Sequence, residues 1–414
     1  MPKELKRIQL PREFPGVHHY GEEEAEAALR VIRAQSPFRY YGVSPQNEAE
    51  NLEKEFSQYI GRQYAQALSS GTNALMASMY ALGVGPGDEV LVPGFFWVST
   101  VSAVVRAGAI PVLVEIDDSF NMNPEDLQKK ITPRSKLIVP VHMCGVPCDM
   151  TALMDVAQRN GIQVLEDCAQ ANGAKWKGQK VGTFGDAAIF SFQVNKNITA
   201  GEGGIFVTDD ETLFQRVSAA HDVGVPWKDG TPHQDSEHSL WGIGARLNEI
   251  SAAVIRAQLR KIDTVVGNMN GSKRRIKDVL DDLPGKRWRR VDDPDGDSGP
   301  FLYTIFDTPE WAAGFVREAN ARGLTCCQLP NYGLHIYYHI RALTERLSHT
   351  GDGFPWSHPA NVDLVRDYKR GALPQSDALF ERTVSIPVPS SLTADLESQY
   401  TETYRDAHEA AGIG

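Results

Sequence analysis

Short apolar runs of strand length recur through the first half of this chain, each separated from the next by a segment of helical spacing. Glu89 to Val92, Ile110 to Glu115, Lys136 to Val141, Gln163 to Leu165, Ala187 to Phe192 and Gly204 to Thr208 are the strand candidates, and Ala152 to Asn160 is one helical segment between them. Strands that alternate with helices pair in parallel, because a crossover must return the chain to the same end of the sheet. Such strands are covered on both faces and read as nearly continuous apolar runs. The alternation from about 45 to 210 therefore predicts an α/β fold with a mostly parallel central sheet. A chain of 414 residues suits two domains rather than one core. The division is a large domain over 1–265, including an N-terminal segment, and a smaller C-terminal α+β domain over 266–414. A single long helix from Arg246 to about Arg275 joins them, with Ala252, Val254, Ile255, Ala257, Leu259 and Ile262 at apolar spacing. In the second domain Phe301 to Phe306 is a strand, and Thr308-Pro309 caps and opens a helix. Ser348 to Ala360 is a loop by its Gly, Pro and Ser content.

In open α/β sheets, ligands gather beyond the carboxyl ends of the strands. Lys196 lies between two strand candidates, with the glycine-rich Gly201-Glu202-Gly203-Gly204 just after it. An amine so placed suits a Schiff base with a flat carbonyl cofactor, of which pyridoxal 5'-phosphate is the simplest. That cofactor needs a phosphate cradle, a flat group over its ring, an acid at its pyridine nitrogen and a partner near its phenolic oxygen. Ser69-Ser70-Gly71-Thr72-Asn73 before a helical pattern is either such a cradle or an ordinary helix cap. Trp97, in Phe95-Phe96-Trp97, is either the stacking group or core with its neighbours. Asp167 follows the Gln163 to Leu165 run and either protonates the ring nitrogen or caps a helix. Gln170 is three residues further on, within reach of the phenolic oxygen or the ring face.

These blocks resemble the DegT/DnrJ/EryC1/StrS family of sugar aminotransferases. The match rests on Ser70-Gly71-Thr72, Gly87-Asp88-Glu89-Val90, Phe96-Trp97-Val98, Pro140-Val141-His142 and Leu165-Glu166-Asp167-Cys168-Ala169-Gln170. It continues in Gly182-Thr183-Phe184-Gly185-Asp186, Ser191-Phe192, Lys196-Asn197-Ile198-Thr199, Glu202-Gly203-Gly204 and Glu249-Ile250-Ser251-Ala252-Ala253. The resemblance implies the type I aminotransferase fold, a Schiff base at Lys196, and Asp167 on the pyridine nitrogen. It further implies Trp97 on the ring, Gln170 beside it, and Gly71, Thr72 and Ser191 on the phosphate. The donor it implies is glutamate or glutamine; the acceptor is a ketone or aldehyde of a sugar, keto-sugar acid or cyclitol. It also implies a homodimer with shared sites, in which the segment before Glu249 reaches the neighbour's phosphate. Here Gly244 stands where many relatives carry asparagine, so Arg246 is the candidate for that reach and Asn248 the fallback.

Acceptor-pocket candidates are Phe38, Arg39, Tyr40 and Tyr41 near the N-terminus, and Asn331, Tyr332, His335, Tyr337, Tyr338 and His339 in the second half. Arg39 is a carboxylate or phosphate partner by its chemistry, and the tyrosines alternatively pack between domains. The Asp292 to Ser298 and Leu373 to Ser385 segments resemble the subgroup that makes 8-amino-3,8-dideoxy-octulosonate, with aminocyclitol enzymes as the rival. Two other classes are a keto-sugar dehydratase using the same cofactor and a regulatory protein that binds it without turnover. The dehydratases resembling this chain replace the lysine by histidine.

A net charge of −11 argues against a nucleic-acid surface. No apolar run reaches the ~20 residues of a membrane span, and the polar start Met1 to Arg7 has no secretory pattern. The cytoplasm is the expected compartment. Five cysteines, an odd count, favour free thiols there. Cys144 and Cys148 lack the second pair that a metal site would need, so no metal is expected.

Overall fold

Six of the seven strands of the central sheet run in one direction, so their carboxyl ends lie at the same end of it. The architecture is seen in a computed structural model that describes residues 7–12, 14–228 and 231–413, with Lys228 described in its backbone only. The strands are β1 (Tyr64–Leu68), β2 (Glu89–Pro93), β3 (Ile110–Val114), β4 (Ser135–Ile138), β5 (Gln163–Asp167), β6 (Ala187–Ser191) and β7 (Gly204–Thr208). Their order across the sheet is β1-β7-β6-β5-β4-β2-β3. Only β7 runs against the rest, pairing antiparallel with both β1 and β6. Every residue of β2, β3, β6 and β7 is buried, as strands covered on both faces must be.

Two departures from the sequence reading have physical causes. β1 was not among the expected strands, because Ala-Gln-Ala has weak strand propensity. Tertiary pairing supplies what propensity lacks: the buried Gln66 donates from Nε2 to Glu53 Oε1 at 2.7 Å. The expected single helix after Arg246 is two, Glu249–Leu259 and Ile262–Leu280. The two helices are separated by a turn at Arg260 and Lys261, and Lys261 is the N-cap of the second. Its Nζ is drawn to Glu24 Oε1 at 2.8 Å and to the carbonyl of His19 at 2.9 Å.

A second, antiparallel sheet holds β8 (Lys286–Trp288), β9 (Phe301–Phe306), β10 (Cys327–Gln328) and β11 (Thr383–Pro387), in the order β8-β9-β11-β10. Thr308 caps the helix Pro309–Ala321, its hydroxyl accepting the N–H of Trp311 at 3.2 Å. That helix and Ala394–Ala410 bury the outer face of this sheet, through Phe315 and Tyr404 against Leu302 and Phe306. The N-terminal segment joins the same core: Ile8 packs in it and donates its N–H to the Arg322 carbonyl at 2.9 Å. A continuous apolar cluster links the two sheets, running from Phe95 and Leu113 to Tyr303, Tyr337 and Phe380. No helix among the described residues is long and apolar enough to cross a membrane.

Candidate active site

Register brings the site together. Leu68 at the end of β1 and Ser191 at the end of β6 both pair with Gly204 at the start of β7. The helix Gly71–Ala81 therefore begins beside Ser191, and the excursion from β6 to β7 carries Lys196 past the same point. This approach requires glycine at 204, where a Cβ would lie 2.4 Å from the backbone of Ser70. Asp167 ends β5, the strand next to β6.

The excursion is pinned at several points. Lys196 N–H donates to Gln193 O at 2.9 Å, and Gly16 N–H donates to Lys196 O at 3.1 Å. Asn197 Nδ2 donates to the carbonyls of Asn172 and Ser298, each at 2.9 Å. Thr199 Oγ1 donates to Phe192 O at 2.9 Å. With its backbone held so, the Lys196 side chain enters a cavity of about 350 Å³. Its amine makes no hydrogen bond or ion pair among the described residues. Burial pulls the Lys196 pKa down, opposed by the negative charge of Asp167.

Asp167 does not cap a helix; the chain after it is a turn. Its carboxylate accepts from Thr100 Oγ1 at 2.8 Å and from Ala169 N–H at 3.1 Å. Burial raises its pKa, and those two hydrogen bonds and Lys196 oppose the rise. Ser70 is the cap of Gly71–Ala81, its Oγ accepting from Asn73 N–H at 3.1 Å. Capping and cradling are compatible here, because the cap serves Asn73 while the helix gives the earlier N–H groups, Gly71 and Thr72, no partner of its own. Thr72 Oγ1 and Ser99 Oγ share a hydrogen bond of 2.7 Å at the same end. Phe95 and Phe96 are fully buried core, whereas Trp97 is 42% exposed and faces the cavity.

The wall opposite is built from the second half of the chain. Phe96 N–H donates to His335 O at 3.0 Å, which fixes the segment bearing Tyr332 and His335. The His335 ring lies 4.9 Å from that of Trp97. Its Nδ1 donates to Tyr332 O at 3.3 Å, leaving Nε2 as an acceptor. Burial lowers the His335 pKa to about 4, so the ring is neutral at ordinary pH.

Gly71, Thr72, Trp97, Asp167, Gln170, Ser191, Lys196, Tyr332 and His335 thus share one cavity. Gln170 Oε1 accepts from Cys144 N–H at 3.1 Å. The other candidates lie elsewhere: Tyr41, Asn331, Tyr338 and His339 do not line the cavity, and Tyr337 is buried core with its hydroxyl donating to Asp377 Oδ1 at 3.0 Å. Arg39 is buried against Glu53 at 2.9 Å and also donates to Ala67 O at 3.3 Å. Tyr40 stacks on Trp227 with ring centroids 3.7 Å apart. Phe38 lies under the Arg246 guanidinium, 5.4 Å from centroid to carbon, and Arg246 is paired with Asp222. Asn248 caps the helix Glu249–Leu259, accepting from Ser251 N–H at 2.9 Å. Sequence reasoning passed over Ser99, Gln193, Asn195 and Glu202, which also line the cavity. The clue for Ser99 was its place two residues after Trp97; the other three are ordinary polar loop residues without a signal.

His142, Glu166 and Cys168 cluster close enough to hold a metal, but hydrogen bonds account for the group. His142 Nδ1 accepts from Cys148 N–H at 3.0 Å, so Nε2 carries the proton and donates to Glu166 at 3.1 Å. Glu166 also accepts from the N–H groups of Gly182, Phe184 and Gly185 at 2.7–2.8 Å. Its role is to anchor the turn that feeds β6.

Residues 21–400 match the DegT/DnrJ/EryC1/StrS aminotransferase family. The chain is 39% identical over 260 residues to 3-amino-5-hydroxybenzoate synthase of Amycolatopsis mediterranei, covering 61% of this chain and 63% of that one. It is 42% identical over 214 residues to UDP-N-acetyl-3-dehydro-alpha-D-glucosamine 3-aminotransferase of Acidithiobacillus ferrooxidans, covering 51% and 56%. These matches span about six-tenths of the relatives' own length. Among solved structures, a 3-amino-5-hydroxybenzoic acid synthase superposes with a TM-score of 0.79 at 28% identity, over 100% of both chains. An aminotransferase from Psychrobacter cryohalolentis gives 0.82 at 27%, over 98% and 99%.

Proposed function

This chain belongs to the DegT/DnrJ/EryC1/StrS aminotransferase family, and from that premise we propose that it moves an amino group from L-glutamate or L-glutamine to a sugar, keto-sugar acid or cyclitol carbonyl. Pyridoxal 5'-phosphate is its cofactor. The observation that carries the reading is the unpaired Lys196 amine in a cavity that also holds the Asp167 carboxylate and the start of the helix Gly71–Ala81.

The residues present fit that cofactor. A Cβ on Gly71 would stand 2.9 Å from the Cβ of Ser191, so glycine keeps the helix end open to a phosphate. Thr72, Ser99 and Ser191 add hydroxyls there. Asp167, a buried carboxylate with no cationic hydrogen-bond partner, suits a protonated pyridine nitrogen. Trp97 offers its face to the ring. Bound there, the cofactor supplies an electron sink for negative charge on the reacting carbon.

The chain's own residues do the rest. A lowered pKa keeps more of the Lys196 amine neutral, which makes it both nucleophile and base. With the cofactor bound, Lys196 Nζ would be the base that takes the proton from the donor's α-carbon and the acid that gives it back. Thr100 and Ala169 hold Asp167 in place while its charge stabilises the ring proton. His335 Nε2 accepts from an acceptor hydroxyl, and Gln193, Asn195, Glu202 and Tyr332 give the polyhydroxylated substrate further polar contacts.

We read 1–265 and 266–414 as domains, with the N-terminal segment around Ile8 packed on the second, which closes the cavity with Pro300, Phe301, Tyr332 and His335. A cytoplasmic homodimer completes the reading. It is supported by a run of apolar exposure at Tyr41, Val43, Val223 and Trp241, the last 93% exposed. This surface adjoins Phe38 and Arg246 through the Phe38–Tyr41 and Phe38–Arg246 contacts. Arg246 and Phe38 would then act at the neighbour's site rather than their own. The names of the two relatives carry different compounds, neither an eight-carbon keto-sugar acid.

Absorbance of the cofactor-loaded protein, titrated with each amino donor, tests the reading. A long-wavelength band should give way to a short-wavelength one with glutamate or glutamine, and return with a keto sugar or keto cyclitol. A band that no amino acid moves would refute it.

A further inference from the structure

A second cavity, of about 250 Å³, lies on the far side of the segment that walls the first. Asp297 borders it, while Pro300 and Phe301 border the Lys196 cavity. One face of the helix Ile262–Leu280 supplies Asn270, Lys273, Arg274 and Lys277, which stand at helical spacing and so share a side. Arg289, just after β8, completes the wall.

Four cations here face two carboxylates, Asp278 and Asp297. Lys273 and Arg289 are 4% and 6% exposed. Lys273 is neutralised by Asp297 at 2.7 Å. Arg274 is paired outward with Asp295 at 2.5 Å. Arg289 is different: it donates to Ser119 O at 2.5 Å and to Asn121 Oδ1 at 3.3 Å, and has no carboxylate ion-pair partner among the described residues. Lys277 has neither a hydrogen bond nor an ion pair among them.

Charged groups are rarely buried without a counter-charge, since losing hydration costs more than neutral contacts return. Lys277, without a hydrogen bond or ion pair among the described residues, and Arg289, whose hydrogen bonds go to neutral acceptors, converge on one cavity, where an anion would supply the missing counter-charge. We propose that this cavity binds the phosphate group of a small molecule, seated between Lys273, Lys277 and Arg289. A planar guanidinium and two ammonium groups match a tetrahedral dianion with several acceptor oxygens. The volume leaves room beside the phosphate for an attached organic group. Consistent with crowded positive charge, burial, Lys273 and Arg289 together bring the Lys277 pKa down to about 8.

The test uses protein already loaded with pyridoxal phosphate, so that the cradle at Gly71 is filled and reports nothing. Inorganic phosphate and glucose 1-phosphate are titrated calorimetrically into the wild type, Lys277→Gln and Lys54→Gln. The last removes the same charge from an exposed position, where Lys54 pairs with Glu50. The expected result is saturable binding of one phosphate per chain, weakened roughly tenfold or more by Lys277→Gln and unaltered by Lys54→Gln. Tighter binding of the sugar phosphate would identify a phosphorylated metabolite as the occupant; equal affinity would identify free phosphate. Absence of saturable binding, or equal affinity in all three proteins, overturns the proposal. Because binding is read without turnover, its failure leaves the aminotransferase reading standing.

Discussion

Replacing Asp167 by asparagine separates the charge of this residue from its place in the fold. Asparagine fits the same space. Its oxygen can accept from Ala169 N–H, and its amide can donate to Thr100 Oγ1, which now donates to Asp167 at 2.8 Å. The fold is therefore retained. In the cofactor-free protein, burial raises the Asp167 pKa, so the carboxyl contributes stability only while protonated. That contribution is complete below the ordinary carboxylate pKa of about 4 and is lost as pH rises through the elevated value. At pH 7 the cofactor-free Asp167→Asn variant should melt no lower than the wild type, and the relative advantage should shrink toward pH 4. Activity should move the other way. Removing one partner of a buried ion pair costs about 3–5 kcal/mol. At about 1.36 kcal/mol per tenfold in rate, single-turnover amino transfer from glutamate should fall between roughly 10²- and 10⁴-fold. The assay is stopped-flow absorbance of the loaded protein beside a pH series of melting curves. A rate within threefold of the wild type would refute the role given to this charge. A large loss of cofactor-free stability at pH 7 would refute the account of its environment.

Other expectations follow from the same contacts. Lys196→Ala removes an amine without a hydrogen bond, so melting should hold while turnover disappears; measurable turnover would exclude Lys196 as nucleophile. Gly71→Ala places a methyl 2.9 Å from Ser191 Cβ, and cofactor affinity, measured by reconstitution of the cofactor-free protein, should drop about tenfold or more if this is the phosphate cradle. Arg39→Met leaves Glu53 buried without its cation, so urea denaturation should show a loss of about 3–5 kcal/mol. An unchanged stability with a raised KM for the acceptor would instead make Arg39 a substrate ligand.

Several groups of the candidate site were legible in the sequence because they sit at the end of a strand or the start of a helix, whereas Lys196 lies in the excursion between β6 and β7 and was legible from the glycine-rich run after it. Asp167 ends β5, Ser191 ends β6, and Gly71 opens a helix after β1. Those positions are local, so residue type and periodicity reveal them. The alternation that predicts a parallel sheet is local as well, since it reflects burial on both faces. Only the tertiary structure decided the rest. Pairing made a strand of Tyr64–Leu68 against its propensity, and a turn at Lys261, whose Nζ is paired with Glu24, divides a helix that spacing alone would continue. The same holds for Arg39, an isolated guanidinium in the sequence whose partner, Glu53, comes from a neighbouring element. His335 and Tyr332 reach the cavity on a segment that backbone hydrogen bonds hold to Gly94 and Phe96, far away in the sequence. A one-dimensional pattern records which face of an element is buried; which distant charge or carbonyl meets it depends on how the elements pack.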